Sequence, residues 1–298
     1  MSVREMQAAP LESVTGVARA GAPRRRIDLS VVVKQLVLLL AAMTVLLPAY
    51  FMVITPLKTQ EAYALSKLGF PTQIYLGNFE TALRGGRFFL WFGNSIILSV
   101  GAVALSTFFA ALGAFATSRM NFRGRNVLLS VISSLMVIPP VVMLIPLFLL
   151  LTRLKMTSTY PGAILVYAGM LAPFSVYLLN NFFRTIPHEI IESALMDGAS
   201  PFDILFRIML PLSSPAMMTL ITVNMLWVWN DLLIALVLLP EDGMRTLMVG
   251  ITVFGSRYNA DVPVSMAGML MASVPIFLIY LFGQRYFIRG LVAGAIKG

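Results

Sequence analysis

The chain has no cysteine and one histidine, His188. Disulfides, thiolate metal centres, haem attachment and Cys–His or Ser–His–Asp nucleophiles therefore lack their raw material, and no metal site is expected. Charge is scarce too: 12% of residues are Asp, Glu, Lys or Arg, about half the share of a soluble domain. No Gly-x-x-x-x-Gly-Lys-Ser/Thr run occurs, so the chain has no such loop to cradle the phosphates of ATP. His188, beside Pro187, reads as a surface residue. These absences argue against an enzyme. What is abundant is apolar side chain, 58% of 298 residues with a mean hydropathy of +0.86, a composition suited to lipid and not to water alone.

Six apolar stretches are long enough to cross a hydrocarbon core of about 30 Å at about 1.5 Å per residue. They lie near residues 31–54, 91–117, 127–151, 161–183, 215–239 and 264–282. The first outlasts the apolar core of a signal peptide and reads as an uncleaved anchor. The expected architecture is all-α: a polytopic membrane protein of six spans, residues 30–298, preceded by a disordered cytoplasmic tail, residues 1–29. The formal charge of +9 would suggest nucleic acid in a soluble protein. Here 14 of the 22 basic residues fall in the tail, the loops 118–126 and 184–214, and the C-terminal end, counting Lys34 at the edge of the first span. Lys and Arg collect on the cytoplasmic side, so both termini are expected inside, with lipid and not nucleic acid as the surroundings.

The spans carry three features. Ala102, Ser106, Ala110, Ala114 and Ser118 recur every fourth residue in the second, a stripe that lets another helix approach closely. Pro139, Pro140 and Pro146 predict a kinked or broken third span turned to the bundle interior, where its freed carbonyls find partners. In the fifth, Asn224, Trp227, Asn230 and Asp231 share an arc of roughly 120° at about 100° per residue, while Trp229 points elsewhere. Amide, carboxylate and indole groups on one face suit a sugar ring. The competing reading is hydrogen bonding between helices, or a structural tie by Asp231 near the external mouth.

Between spans four and five, Pro187 and Glu189 favour a helix start, and Gly198 a left-handed stop. Ser200, Pro201 and Asp203 form a capping-box variant, and Pro211 is expected to halt a second helix. The reading is two short cytoplasmic helices that present Ala194, Leu195, Ala199, Phe202 and Leu205 to a partner's groove.

The run Glu192-Ser193-Ala194, then Gly198, then Ile208-Met209-Leu210-Pro211 resembles the EAA loop of importer permeases of the ATP-binding-cassette (ABC) class, with Ser193 in place of Ala at the motif's second position. Pro139-Pro140, Ile145-Pro146-Leu147, Trp229-Asn230-Asp231 and the ending Arg289–Gly298 look like the maltose-permease-like, carbohydrate-uptake subgroup. The resemblance implies a bacterial inner-membrane permease working by alternating access with a second related permease, two ABC ATPases that hold ATP and Mg, and an extracytoplasmic solute-binding protein. It implies that Glu192, Ser193, Ala194, Leu195, Asp197, Gly198, Ala199, Phe202, Ile208, Leu210 and Pro211 couple to the ATPases. It places Ala293, Gly294, Ala295, Ile296, Lys297 and Gly298 against them as well. The chain itself would bind no cofactor. A secondary carrier or channel, built on polar groups in broken helices, is the alternative; it has no use for an apolar cytoplasmic docking element.

Overall fold

The computed structural model describes residues 29–84, 87–257 and 261–295. The expected tail up to Asp28, and Ile296, Lys297 and Gly298, lie outside the described residues. Two units divide the chain, residues 1–48 and 49–298. The first contributes most of α1 (Leu29–Ile54), an apolar helix long enough to cross a membrane.

Everything described is helix, turn or loop, with no strand among the described residues. After α1 come two short helices, α2 (Gln60–Leu65) and α3 (Gly77–Leu83). The second expected span is α4 (Arg87–Arg119), and the fourth is α7 (Tyr160–Phe183). The third is two helices, α5 (Arg125–Leu135) and α6 (Pro140–Arg153), set 102° apart. Pro139 takes an extended backbone and Pro140 opens α6, since a proline ring disfavours helix in the residue before it. Two helices, α8 (His188–Met196) and α9 (Pro201–Leu212), precede α10 (Ser214–Asn230). The fifth span is itself interrupted, α10 ending at Asn230 and α11 (Leu233–Leu238) resuming two residues on. Finally come α12 (Leu247–Arg257) and α13 (Val262–Ala295), which contains the sixth span.

The core is organised by α4 against α7. Ala102, Ser106, Ala110 and Ala114 are all buried, so the small stripe of α4 is spent inside this chain. Polar atoms close the seam: the Ser106 and Ser175 hydroxyls meet at 3.2 Å, and the Asn180 amide donates to the Thr117 hydroxyl at 2.7 Å. One apolar cluster joins the Arg119 end of α4 and the end of α7 to Ile191, Ala194, Ile204, Leu205 and Met209 of α8 and α9. A second fills the middle around Leu98, Tyr167 and Val228, and a third packs Phe88, Trp91 and Trp229 with Leu247 and Ile251 of α12.

At the Arg87 end, α4 also holds the loop between α11 and α12. Trp91 donates to the Asp242 carbonyl at 3.1 Å, Asn94 to the carbonyls of Gly243 and Arg245 at 2.9 Å each, and the Leu247 amide to the Ser95 hydroxyl at 2.8 Å. The Tyr160 hydroxyl of α7 donates to Asn94 at 2.7 Å, and Asp242 pairs with Arg87 and Arg245. Before α2, the buried Lys58 ammonium donates to the Ser66 and Lys67 carbonyls at 2.9 and 3.0 Å, and burial pushes its pKa below the usual lysine value.

The broken third span differs from the expectation of a fully inward face. Leu151 is the only buried residue of α6 and α5 has none; Val137, in the break, is 80% exposed. This chain's helices cover only one side of α5 and α6, so the break borders a cavity and open surface together.

At Gly250 a Cβ would come within 2.2 Å of the Trp91 indole. Gly250→Val is therefore expected to displace Trp91 and cost about 1–3 kcal/mol by overpacking. Thermal unfolding of the purified protein in detergent, compared with wild type, reads that loss.

Candidate functional site

The segment between α7 and α9 is built by local rules that the sequence carries openly. Helix α8 ends in a Schellman motif: the Ala199 amide donates to the Ala194 carbonyl at 2.9 Å and Gly198 to Leu195 at 3.0 Å, with Gly198 left-handed at φ +80°. A capping box then starts α9, the Ser200 hydroxyl accepting from the Asp203 amide and the Asp203 carboxylate accepting from the Ser200 amide. Hydrogen bonds from the Ser200 side chain and backbone, aided by Arg207, hold the Asp203 carboxyl below its ordinary pKa.

Two expectations are corrected. Pro211 does not halt the helix, which is π-wound over Ile204–Met209, returns to α geometry, and ends at Leu212. Pro211 lies in the first turn after the π stretch, where its missing N–H is least costly; the chain bends by 78° at Ser213. The outward face is also not the one expected. Ala194 and Leu205 are buried in the core, and Ala199, Ile208 and Leu210 pack against it. The exposed apolar groups are Leu195 at 53%, Met196 at 89% and Phe202 at 67%. Glu192, Ser193 and Asp197 are exposed beside them. The expected set thus divides into residues that seat the segment and residues it presents.

The arc on the fifth span divides as well. Asn224 is buried and its amide donates to Ser175 at 3.0 Å, joining α10 to the α4–α7 seam. One Asp231 carboxylate oxygen accepts from the Tyr167 hydroxyl at 2.6 Å and from the amides of Ile234 and Ala235 at 3.1 and 3.0 Å. Asp231 therefore ends α10 and caps α11 at once, the structural tie weighed above. Asn230 is exposed and its amide bonds back to the Leu226 carbonyl. Trp227 is half-buried and meets Tyr167 edge to face at 6.0 Å. Trp229 packs away from them, against Phe92 and Ala272.

Two cavities flank Trp227. One of about 680 Å³ is lined almost wholly by apolar side chains, among them Met143, Leu147, Met170 and Phe174, with Asn224 at its edge. The other, about 670 Å³, brings Trp227, Asn230 and Asp231 together with Thr222, Tyr280 and Gln284. Trp227, Asn230 and Asp231 thus share the second hollow, whose lining also includes Pro140, Val141, Val223 and Leu226, while Asn224 lines the first. Tyr167, Tyr280 and Gln284 were not singled out from the sequence. A lone tyrosine inside an apolar run has a hydroxyl to satisfy, and that is the signal that would have drawn attention to Tyr167. Ala293, Gly294 and Ala295 lie on the last turns of α13, which extends beyond the expected sixth span.

The apolar helices thus carry a firmly seated, outward-facing helical pair and, beside the broken span, a hollow lined in part by Trp227, Asn230 and Asp231. Residues 109–292 match the binding-protein-dependent transport system inner membrane component family, and the chain belongs to it. It is 39% identical over 252 residues to a putative ABC transporter permease protein of Caldicellulosiruptor sp. (strain Rt8B.4), covering 84% of this chain and 91% of that one. It is 33% identical over 229 residues to the arabinooligosaccharides transport system permease protein AraQ of Bacillus subtilis (strain 168), covering 76% and 81%. Among solved structures, a bacterial ABC transporter involved in import of the acidic polysaccharide alginate superposes with a TM-score of 0.77 at 25% identity, over 87% of this chain and 96% of that one. The chain is thus a permease component and not itself the ATPase.

The two roles on α10 separate by measurement. Asn224→Ala leaves the buried Ser175 hydroxyl short of a donor, at a cost of about 1–3 kcal/mol, and should lower the detergent melting temperature. Asn230→Ala should leave that temperature within about 2 °C of wild type, as expected of an exposed residue whose amide bonds only within its own helix.

Proposed function

We propose that the chain is one of two permease subunits of an ATP-driven, binding-protein-dependent importer of a saccharide, with both termini in the cytoplasm. The observation that carries this is the pair α8–α9. Leu195, Met196 and Phe202 are held out into solvent on helices whose opposite faces are buried in the core. An exposed apolar patch on a fixed support fits the groove of a partner, and an ATPase subunit of the ABC class is the partner that transport by this family requires. Glu192 and Asp197 give that surface its polar rim. ATP and Mg reside on the ATPases. The tail from Ala293 to Gly298 is assigned to the same side.

The open faces of α5 and α6 suit a second permease, which would cover the Val137 break and close the Trp227 hollow into a path. Tyr280 and Trp227 offer ring faces there, and Asn230, Asp231, Thr222 and Gln284 offer donors and acceptors, the mixture a sugar needs. The arabinooligosaccharide and alginate transport named for the relatives supports a saccharide cargo. Alternating access would follow when ATPase closure displaces α8–α9 and the spans attached to them.

Phe202→Asp tests this reading. A buried aromatic anchor is worth about 2 kcal/mol or more at an interface, so ATPase co-purification should fall by roughly 30-fold at limiting concentration, with sugar uptake lost and membrane insertion intact. Full ATPase recovery with full uptake would overturn the docking role of α8–α9.

A further inference from the structure

Helix α8 is connected to α7 by the turn Arg184–Pro187, which carries only short-range backbone bonds of its own. Helix α8 is seated against α4 and α7 by the apolar cluster, but the turn itself flexes between them unless it too is fixed. Arg119, the last residue of α4, supplies the fixing. Its Nη2 donates to the carbonyl of Phe183, the last residue of α7, and to that of Ile186 at 2.5 Å. One nitrogen thus holds both sides of the turn to the end of a different span. A cation is well placed there, because the carbonyl end of α7 carries the negative pole of the helix. None of the ion pairs among the described residues involves Arg119, and its Nε is buried with no partner. Both carbonyl bonds are made by Nη2.

The neighbours extend the clamp. Asn180, one turn before Phe183, is tied to Thr117 at 2.7 Å, so α4 and α7 are already locked above the turn. Ile186, whose carbonyl Arg119 holds, is buried in the same cluster as Ile191 and Ala194 of α8. Beside the apolar cluster that α4, α7, α8 and α9 share, a polar link from the α8 segment to the end of α4 therefore runs through the Ile186 carbonyl and one guanidinium. We propose that Arg119 is the positioning residue of the coupling segment: it makes α8 move with the α4–α7 pair, so that displacement of α8 by the ATPase reaches the spans. This rests on the assignment of α8–α9 as the ATPase docking surface.

The test uses the whole importer in proteoliposomes, with Arg119→Ala, Arg119→Lys, a two-glycine insertion after Thr185, and Phe202→Asp in parallel. Arg119→Ala should bind the ATPase fully and keep basal hydrolysis and the KM for ATP. Stimulation by the loaded binding protein should be lost and uptake reduced about tenfold, the scale of a coupling free energy between sites. Arg119→Lys should restore most of the stimulation, because an ammonium donates to the same carbonyls. The glycine insertion leaves Arg119 in place but frees the turn, so it should uncouple in the same way; it decides the matter if Arg119→Ala does not assemble. Stimulated hydrolysis and uptake near wild type in Arg119→Ala, or in the insertion variant, would overturn the proposal. If Phe202→Asp retains its ATPase, the docking reading fails and takes this inference with it. Loss of docking in Phe202→Asp with intact coupling in Arg119→Ala removes the Arg119 role alone.

Discussion

The close approach of α4 and α7 is the constraint on which the rest of the structure depends. Small side chains at 102, 106, 110 and 114 leave no apolar bulk between the helices, and in lipid such packing, with a few hydrogen bonds, replaces the hydrophobic effect as the cohesive force. The seam is sealed where polar atoms meet, at Ser106 with Ser175 and at Thr117 with Asn180. Asn224 brings α10 into the same network. Each of these hydroxyls and amides would be costly alone in an apolar interior, so the seam holds the helices in one register and disfavours others.

Helix α4 serves at both of its ends. At the Arg87 end Trp91, Asn94 and Ser95 bind the loop before α12; at the other, Arg119 binds the turn before α8. A single unbroken helix of 33 residues, about 50 Å long, therefore joins the loop before α12 to the turn before α8. Its interior carries no proline, unlike α1, α6, α7 and α13, and so keeps a full ladder of backbone bonds along that length.

Much of this was legible because it is written locally. Runs of apolar residues gave the spans, Pro139 and Pro140 the break between α5 and α6, and Gly198 with Ser200 and Asp203 the turn between α8 and α9. What escaped was of two kinds. Partnerships across the chain, such as Tyr167 with Asp231 or Arg119 with Ile186, join residues more than sixty positions apart and leave no periodic trace. Burial on a short helix was the other: Leu205 turns into the core while Phe202, one turn earlier, stays in solvent, a division set by the neighbours against which the segment is laid and not by its own pattern. The Asn224 arc failed more gently: its angular grouping held, but hydrogen bonding drew Asn224 into the bundle while Asn230 remained open.

The interruption at Asp231 divides the fifth span into two bodies with different moorings. Helix α10 continues from the segment that follows α8, whereas α11 is bonded through the Leu238 carbonyl to the Ser158 amide, just before α7. Between them stand two residues and one carboxylate oxygen shared among three donors. The two halves of the span thus take their bearings from different parts of the chain, and a single carboxylate oxygen is the hinge pin common to both.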